Sequence, residues 1–252
     1  MIVREQNGEY MLIEQHDHAL ISGILAKEWN EELFIGEGRR CSVELAIEQH
    51  DACWKELDKN IVFVAGEPAS FTDYPLKDKI AAYRRGIEEM ILVNPYAALL
   101  ISLHYSSFFR GKLDEAGVIF KQEELDRQNH LYKFLSVKEE EVHFQFDLLQ
   151  LCDNLSLYLC MNEWGSSKEK EYPWFKNGFP QQLAPVGNNN FYTKWIGEDK
   201  VGITPYPFKG PNVEVTIPYK TIEKGNVSEK DFQNKYNREN KQYHSIAFVP
   251  ME

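Results

Sequence analysis

The chain is short of positive charge. Its 28 Lys and Arg stand against 39 Asp and Glu, a formal net charge of −11 over 252 residues. That balance excludes nucleic-acid backbones and anionic membrane surfaces as partners, because both select basic faces. Long hydrophobic runs are missing too. The longest apolar stretch, around "YAALLISL", falls well below the roughly 18 residues of a membrane span. The opening "MIVREQNGEY" is polar and strand-like, unlike a charged-then-apolar leader. Cys41, Cys53, Cys152 and Cys160 form no CxxC pair, which argues against a zinc finger or a disulfide framework. They read as reduced, mostly buried thiols of a cytoplasmic protein.

What is present is enough to build a core. Hydrophobic residues make up 43% of the chain, and no flexible linker divides it, so residues 1–252 read as one domain. Asn7-Gly8 between two short alternating runs predicts an N-terminal hairpin. A helix is expected from an Asp17 cap to about Asn30, and another from a Ser42 cap through "VELAIEQHDACWKEL". Turn residues fill 61–78. Amphipathic "KIAAYRRGIEEMIL" follows, and then "YAALLISLHYSSFF", started by Asn94-Pro95 and apolar nearly all round. Two further helices are expected over "EELDRQNHLYKFL" and from about Glu140 to Met161. Residues 165–252 change character, with strand-like runs rich in Pro, Gly, Asn and aromatics. These strands should pair with the hairpin. The expected fold is mainly α, a helical core over 13–161 beside a small antiparallel sheet, with 165–252 as a β-rich extension.

Helical spacing places several polar residues inward. Val43, Ile47, His50, Trp54 and Leu57 share one stripe, and Asp51 lies about 100° round at its edge. His18 steps to Ile21 and Leu25, whereas His16 lies before the expected cap. Asp153 follows Val142, Phe146 and Leu149 on a buried stripe that continues to Ser156 and Cys160. No Lys or Arg lies within four residues of it. His104 is embedded in the most apolar helix. His130, His143 and His244 read as solvated. An unpaired buried carboxylate costs several kcal/mol, so Asp153 needs a cation, a network or a raised pKa. Each group alone is most simply a hydrogen-bonded core residue. Separate helices that each aim an imidazole or carboxylate into one core instead suggest a ligand set for a divalent ion.

The order His18, His50-Asp51, Asp153, each on its own helix, resembles the H…HD…D signature of the HD-domain superfamily of metal-dependent phosphohydrolases. "QHDHALISGILAKEW", "HDACW", "SLHYSSF" and "DNLSLYLC" are similar to an uncharacterised bacterial HD-like family without an assigned reaction. The resemblance implies a helical core around a metal held by His18, His50, Asp51 and Asp153. The ion would be Mn, Fe, Zn or Mg, a single ion with His104 as acid or as ligand to a weaker second one. It further implies hydrolysis of a small phosphorylated molecule, with Asp51 orienting the attacking water and His104 protonating the leaving group.

Phosphate also calls for cationic donors, and Arg39 and Arg40, just before the HD helix, are the nearest in sequence. The aromatic loop 66–78 can act as a lid or as a packed connection. Trp164, Trp174 and Trp195 read as structural cover. The rival reading is a non-catalytic protein that binds a metal or a ligand for a structural or regulatory role. On that reading, loss of Asp51 would cost stability rather than turnover.

Overall fold

The computed structural model describes residues 1–111, 113–187, 190–225 and 227–251. In chain order the strands are β1 (Ile2–Gln6), β2 (Glu9–Ile13), β3 (Phe63–Val64), β4 (Glu67–Pro68), β5 (Tyr192–Gly197), β6 (Lys200–Thr204), β7 (Val213–Glu223) and β8 (Gln242–Pro250). The helices are α1 (Gln15–Lys27), α2 (Arg40–Gln49), α3 (Trp54–Leu57), α4 (Leu76–Val93), α5 (Pro95–Ser107), α6 (Glu115–Leu135), α7 (Glu139–Met161) and α8 (Glu229–Arg238).

The sheet is larger than expected. Six strands join in the order β1-β2-β7-β8-β6-β5, and the chain is 50% helical and 20% strand. A mainly α protein with a small antiparallel sheet is therefore incorrect. Two features of the strands explain the difference. β7 is 11 residues long and serves two partners: Val213–Tyr219 pairs with β8, and Lys220–Glu223 pairs with β2. One strand thus fuses the N-terminal hairpin to the C-terminal strands. Its inward Val213, Val215 and Ile217 alternate with exposed Glu214 and Thr216, the period-2 pattern of a half-buried strand. The sheet is also mixed, because β6 and β8 run parallel. The hairpin forms as expected on Asn7 (φ 54°) and Gly8 (φ 80°), the two positive φ values of a type I′ turn.

Several helix boundaries also move. α1 is capped at Glu14, so His16 and Asp17 lie in its first turn, where Asp17 takes Lys241 at 2.6 Å. Ser42 lies inside α2 and accepts from Asn94 Nδ2. Asn94 does cap α5, its side chain accepting from the Tyr96 and Ala97 amides. α6 begins eight residues before "EELDRQNHLYKFL", capped by Asp114. α8 lies within a region whose sequence pattern predicts strands. It is capped by Ser228, and Phe232 and Tyr236 pack with Tyr10, Leu12 and Ile222 beneath the hairpin.

Candidate metal centre

The expected long HD helix breaks at the dipeptide itself. α2 ends at Gln49, residues 50–53 form a turn, and α3 restarts at Trp54. The turn holds i→i+3 bonds from Ala52 N to Gln49 O and from Trp54 N to Asp51 O. Tyr105 of α5 secures it, because its hydroxyl donates to the His50 carbonyl. Two glycines let neighbouring helices close on this turn. A Cβ on Gly23 of α1 would meet Glu48 Cβ at 2.8 Å, and one on Gly86 of α4 would meet Cys53 Cβ at 2.7 Å.

The result brings together five side chains from α1, the turn, α5 and α7. His18, His50, Asp51, His104 and Asp153 are all buried. The rings of His18, His50 and His104 follow one another edge to face, each step 5.2 Å between centroids. Two groups are spaced to hold an ion, His18-His50-Asp51 and His50-His104-Asp153, with His50 common to both. His18 Nε2 lies 3.0 Å from Asp51 Oδ2, and His50 Nε2 lies 3.3 Å from Asp153 Oδ1 and 3.9 Å from Asp51 Oδ2. Two ligands on a cation at about 2.1 Å stand roughly 3.0–3.4 Å apart for bond angles of 90–110°. The spacing fits a metal.

The hydrogen bonds behind the rings fix which nitrogen faces inward. His50 Nδ1–H donates to Ile47 O at 2.7 Å, which turns Nε2 inward, 3.3 Å from Asp153 Oδ1. For His18 the partner is Ser156. The Ser156 hydroxyl donates to Asp153 O and accepts from Ser22 Oγ at 2.8 Å, which leaves a lone pair for His18 Nδ1–H at 2.9 Å. His18 Nε2 then faces Asp51 Oδ2 at 3.0 Å. Outer partners of this kind orient histidine ligands in metal sites.

Charge follows the same geometry. Burial opposes the imidazolium of His50, but Asp51 and Asp153 overcome it and raise the group to about 9. Burial likewise opposes ionised Asp51, yet His50 and His18 hold that carboxyl down at about 2. Asp153 is also lowered, against burial, by His50 first and then His104 and His18. His104 differs. Burial outweighs Asp153, 3.7 Å away, and holds it down at about 4. It is therefore neutral at pH 7, with Nδ1 buried and unpartnered. A neutral ring can ligate or donate a hydrogen bond, but it is not the imidazolium that protonation of a leaving group requires.

The cluster opens on a cavity of about 560 Å³, lined on its polar side by Gln15, His18, Asp51, His104, Asp153 and Asn154. Arg39 and Arg40 do not reach it. They start α2, about 15 Å from His50 at 1.5 Å per residue. Arg40 is tied to Glu44 and Trp29 O and covers Phe34, and Arg39 covers Tyr96. The cation lining the cavity among the described residues is Lys79 of α4, bonded to Phe71 O at 2.9 Å, its pKa lowered by burial. Lys79 sat in an ordinary amphipathic pattern, and nothing in the sequence marked it.

Phe71 and Thr72 of the 66–78 loop form one wall, while Tyr74 packs on Trp54. Trp195 stacks on Tyr158 and Trp164 on His244, as structural cover should. Trp174 is instead 53% exposed and lines the cavity. His130 and His143 are exposed, as expected. Among the described residues no helix is long and apolar enough to cross a membrane, and the four cysteines are unpaired.

Residues 1–224 match a family model described as "Protein of unknown function (DUF3891)", and the chain belongs to that family. No curated protein and no solved structure matches it.

Proposed function

We propose that this DUF3891 protein is a metal-dependent hydrolase of small phosphate esters. The observation that supports the reading best is the inward-facing pair of His50 Nε2, 3.3 Å from Asp153 Oδ1, and His18 Nε2, 3.0 Å from Asp51 Oδ2. Both carboxylates of the cluster also open on a cavity that can admit a small molecule. The order of His18, His50-Asp51 and Asp153 along the chain points the same way.

His18, His50, Asp51 and Asp153 would hold the ion. When bound, a divalent cation supplies Lewis acidity toward a phosphoryl oxygen and acidifies water at neutral pH. The remaining roles belong to the chain. Asp51, held by Gln15 Nε2 at 3.1 Å with the Tyr105 hydroxyl 3.3 Å from its other oxygen, orients the attacking water. Neutral His104 donates a hydrogen bond toward the departing oxygen. Lys79 places positive charge on the cavity wall for a non-bridging phosphate oxygen.

The test is elemental analysis of wild type, His50→Ala and Asp153→Ala, each reconstituted with Mn, Fe, Zn or Mg. A panel of phosphomonoesters and diesters is then screened with whichever ion binds. Near-stoichiometric metal in wild type, its loss in both variants, and turnover abolished by Asp51→Asn would support the reading. Absence of metal in every sample would make the cluster a charged hydrogen-bonded core. Bound metal with no turnover, and a large fall in melting temperature on chelation, would indicate a structural ion.

A further inference from the structure

The cavity beside the cluster has a neighbour. A second cavity of about 910 Å³ is walled by polar side chains that include Ser107, Gln150, Asn154 and Gln181. The two share His104, Phe108, Asp153, Asn154 and Trp174, so they meet at the cluster. Away from its polar side the first cavity is apolar, with Leu76, Phe109, Leu113 and Leu157 among its walls. At the junction stand two half-exposed aromatic rings, Phe108 at 52% and Trp174 at 53%.

Neither position is what a core needs. Phe108 ends α5 and sits edge-on to His104, with centroids 4.7 Å apart. Trp174 belongs to the loop after α7 and is held by Tyr172 and Phe71 at 5.2 and 6.2 Å. A large ring left half in water beside a buried charged cluster forgoes burial it could have had. Such rings become useful when a ligand completes their contact, because aromatic faces add directional attraction to area burial. The contact between Phe108 and His104 also sets the scale: whatever touches Phe108 is attached close to the group at the cluster.

We propose that the substrate joins its phosphoryl group directly to a flat aromatic group, which Phe108 and Trp174 hold at the junction of the two cavities. The inference rests on the phosphohydrolase reading for the phosphoryl half only. Phe108 and Trp174 are specificity-determining residues here, and the polar second cavity takes any hydrophilic extension of the substrate.

The test uses phenylphosphonate and methylphosphonate, which bind as phosphoryl compounds but have no ester to hydrolyse. Calorimetry on the metal-loaded protein should show phenylphosphonate binding about tenfold more tightly, the scale of one good aromatic contact. Phe108→Ala and Trp174→Ala should each bring the two probes within about threefold. Methylphosphonate should still bind in both variants, which reports that the site remains folded. Binding of phenylphosphonate should change tryptophan fluorescence in wild type and not in Trp174→Phe. Equal affinity for the two probes, or a preference that survives both alanine variants, overturns the proposal. Benzyl alcohol separates this failure from that of the hydrolase reading. If it binds with the same dependence on Phe108 and Trp174 while neither phosphonate gains over it, the aromatic subsite stands and the phosphoryl reading falls. If esters are turned over without regard to the leaving group, the hydrolase stands and the aromatic subsite falls.

Discussion

Metal affinity should depend on pH with a slope of one proton, and His50 is the reason. In the metal-free protein the two neighbouring carboxylates raise this imidazole from its ordinary 6.5 to about 9, so at neutral pH it carries a proton where the cation must sit. A metal binds only the deprotonated ring, so the proton has to leave. The sign follows directly. Below pH 9 each unit of increase exposes ten times more competent site, and affinity rises tenfold per unit until it levels off near 9. At pH 7 the deprotonated fraction is then of the order of 1%, a penalty of about 3 kcal/mol in binding free energy. Between pH 6 and 8 the dissociation constant should fall about a hundredfold. Mn²⁺ suits the measurement because it resists hydrolysis over this range. Competition against an indicator gives the constant at each pH. Calorimetry in two buffers of different ionisation enthalpy counts the proton released. Affinity that stays flat from pH 6 to 8 with no proton released would refute the reasoning. His50 would then be neutral in the free protein, and its contact with Asp153 would not be an ion pair.

Three other outcomes test separate parts of the structure. Ser156→Ala removes the acceptor of His18 Nδ1–H while leaving every ligand in place, and should weaken metal binding about 10- to 100-fold in the same titration. Gly23→Ala drives a methyl group into Glu48 Cβ, 2.8 Å away with Glu48 Cα at 3.1 Å. It should destabilise by about 1–3 kcal/mol in denaturant unfolding as α1 and α2 separate. The cationic groups can be compared in one assay, where Lys79→Ala should raise KM for any ester turned over by about tenfold. Arg40→Ala should leave KM unchanged and lower stability by about 1–3 kcal/mol, since it strands the Trp29 carbonyl.

How far the sequence reaches depends on whether the signal is local. The inward positions of His18, His50, Asp153 and His104 follow from helical spacing, and all four are buried. The Asn7-Gly8 hairpin and the Asn94 cap are equally local, and both form. What spacing does not contain is the break in α2 at His50. It depends on a hydroxyl from Tyr105, 55 residues away. Arg39 and Arg40 are near the site in sequence alone. A helix running away from the site turns ten residues into about 15 Å. Lys79 comes close only because α4 folds back over the cavity. The parallel pairing of β6 with β8 joins segments more than 40 residues apart, and the double use of β7 follows from its length rather than from any residue in it. α8 had a readable signal in Ser228 followed by Asp231, with Phe232 and Tyr236 one turn apart, inside a region otherwise patterned as strands.

The unexpectedly large sheet bears on the site as well as on the fold. α1 leaves β2 with a single residue between them, Glu14, so the register of the hairpin sets where His18 points. That register is fixed on its far side by β7, through the pairs Tyr10–Ile222 and Leu12–Lys220. The other end of the connection is tied to the HD turn. Asp58, just past α3, accepts the Gln15 backbone amide at 2.6 Å, and the Gln15 side chain donates to Asp51. Gln15 therefore joins the strand-to-helix entry, the carboxylate of Asp51 and the segment that follows it in one short chain of contacts. His18 and Asp51 face each other at 3.0 Å because Gln15 ties the start of α1 to the carboxylates of Asp51 and Asp58 beside them. A slip of one residue between β2 and β7 would turn the hairpin over and carry α1 with it. The helices supply the ligands, and the sheet sets the angle at which the first of them arrives.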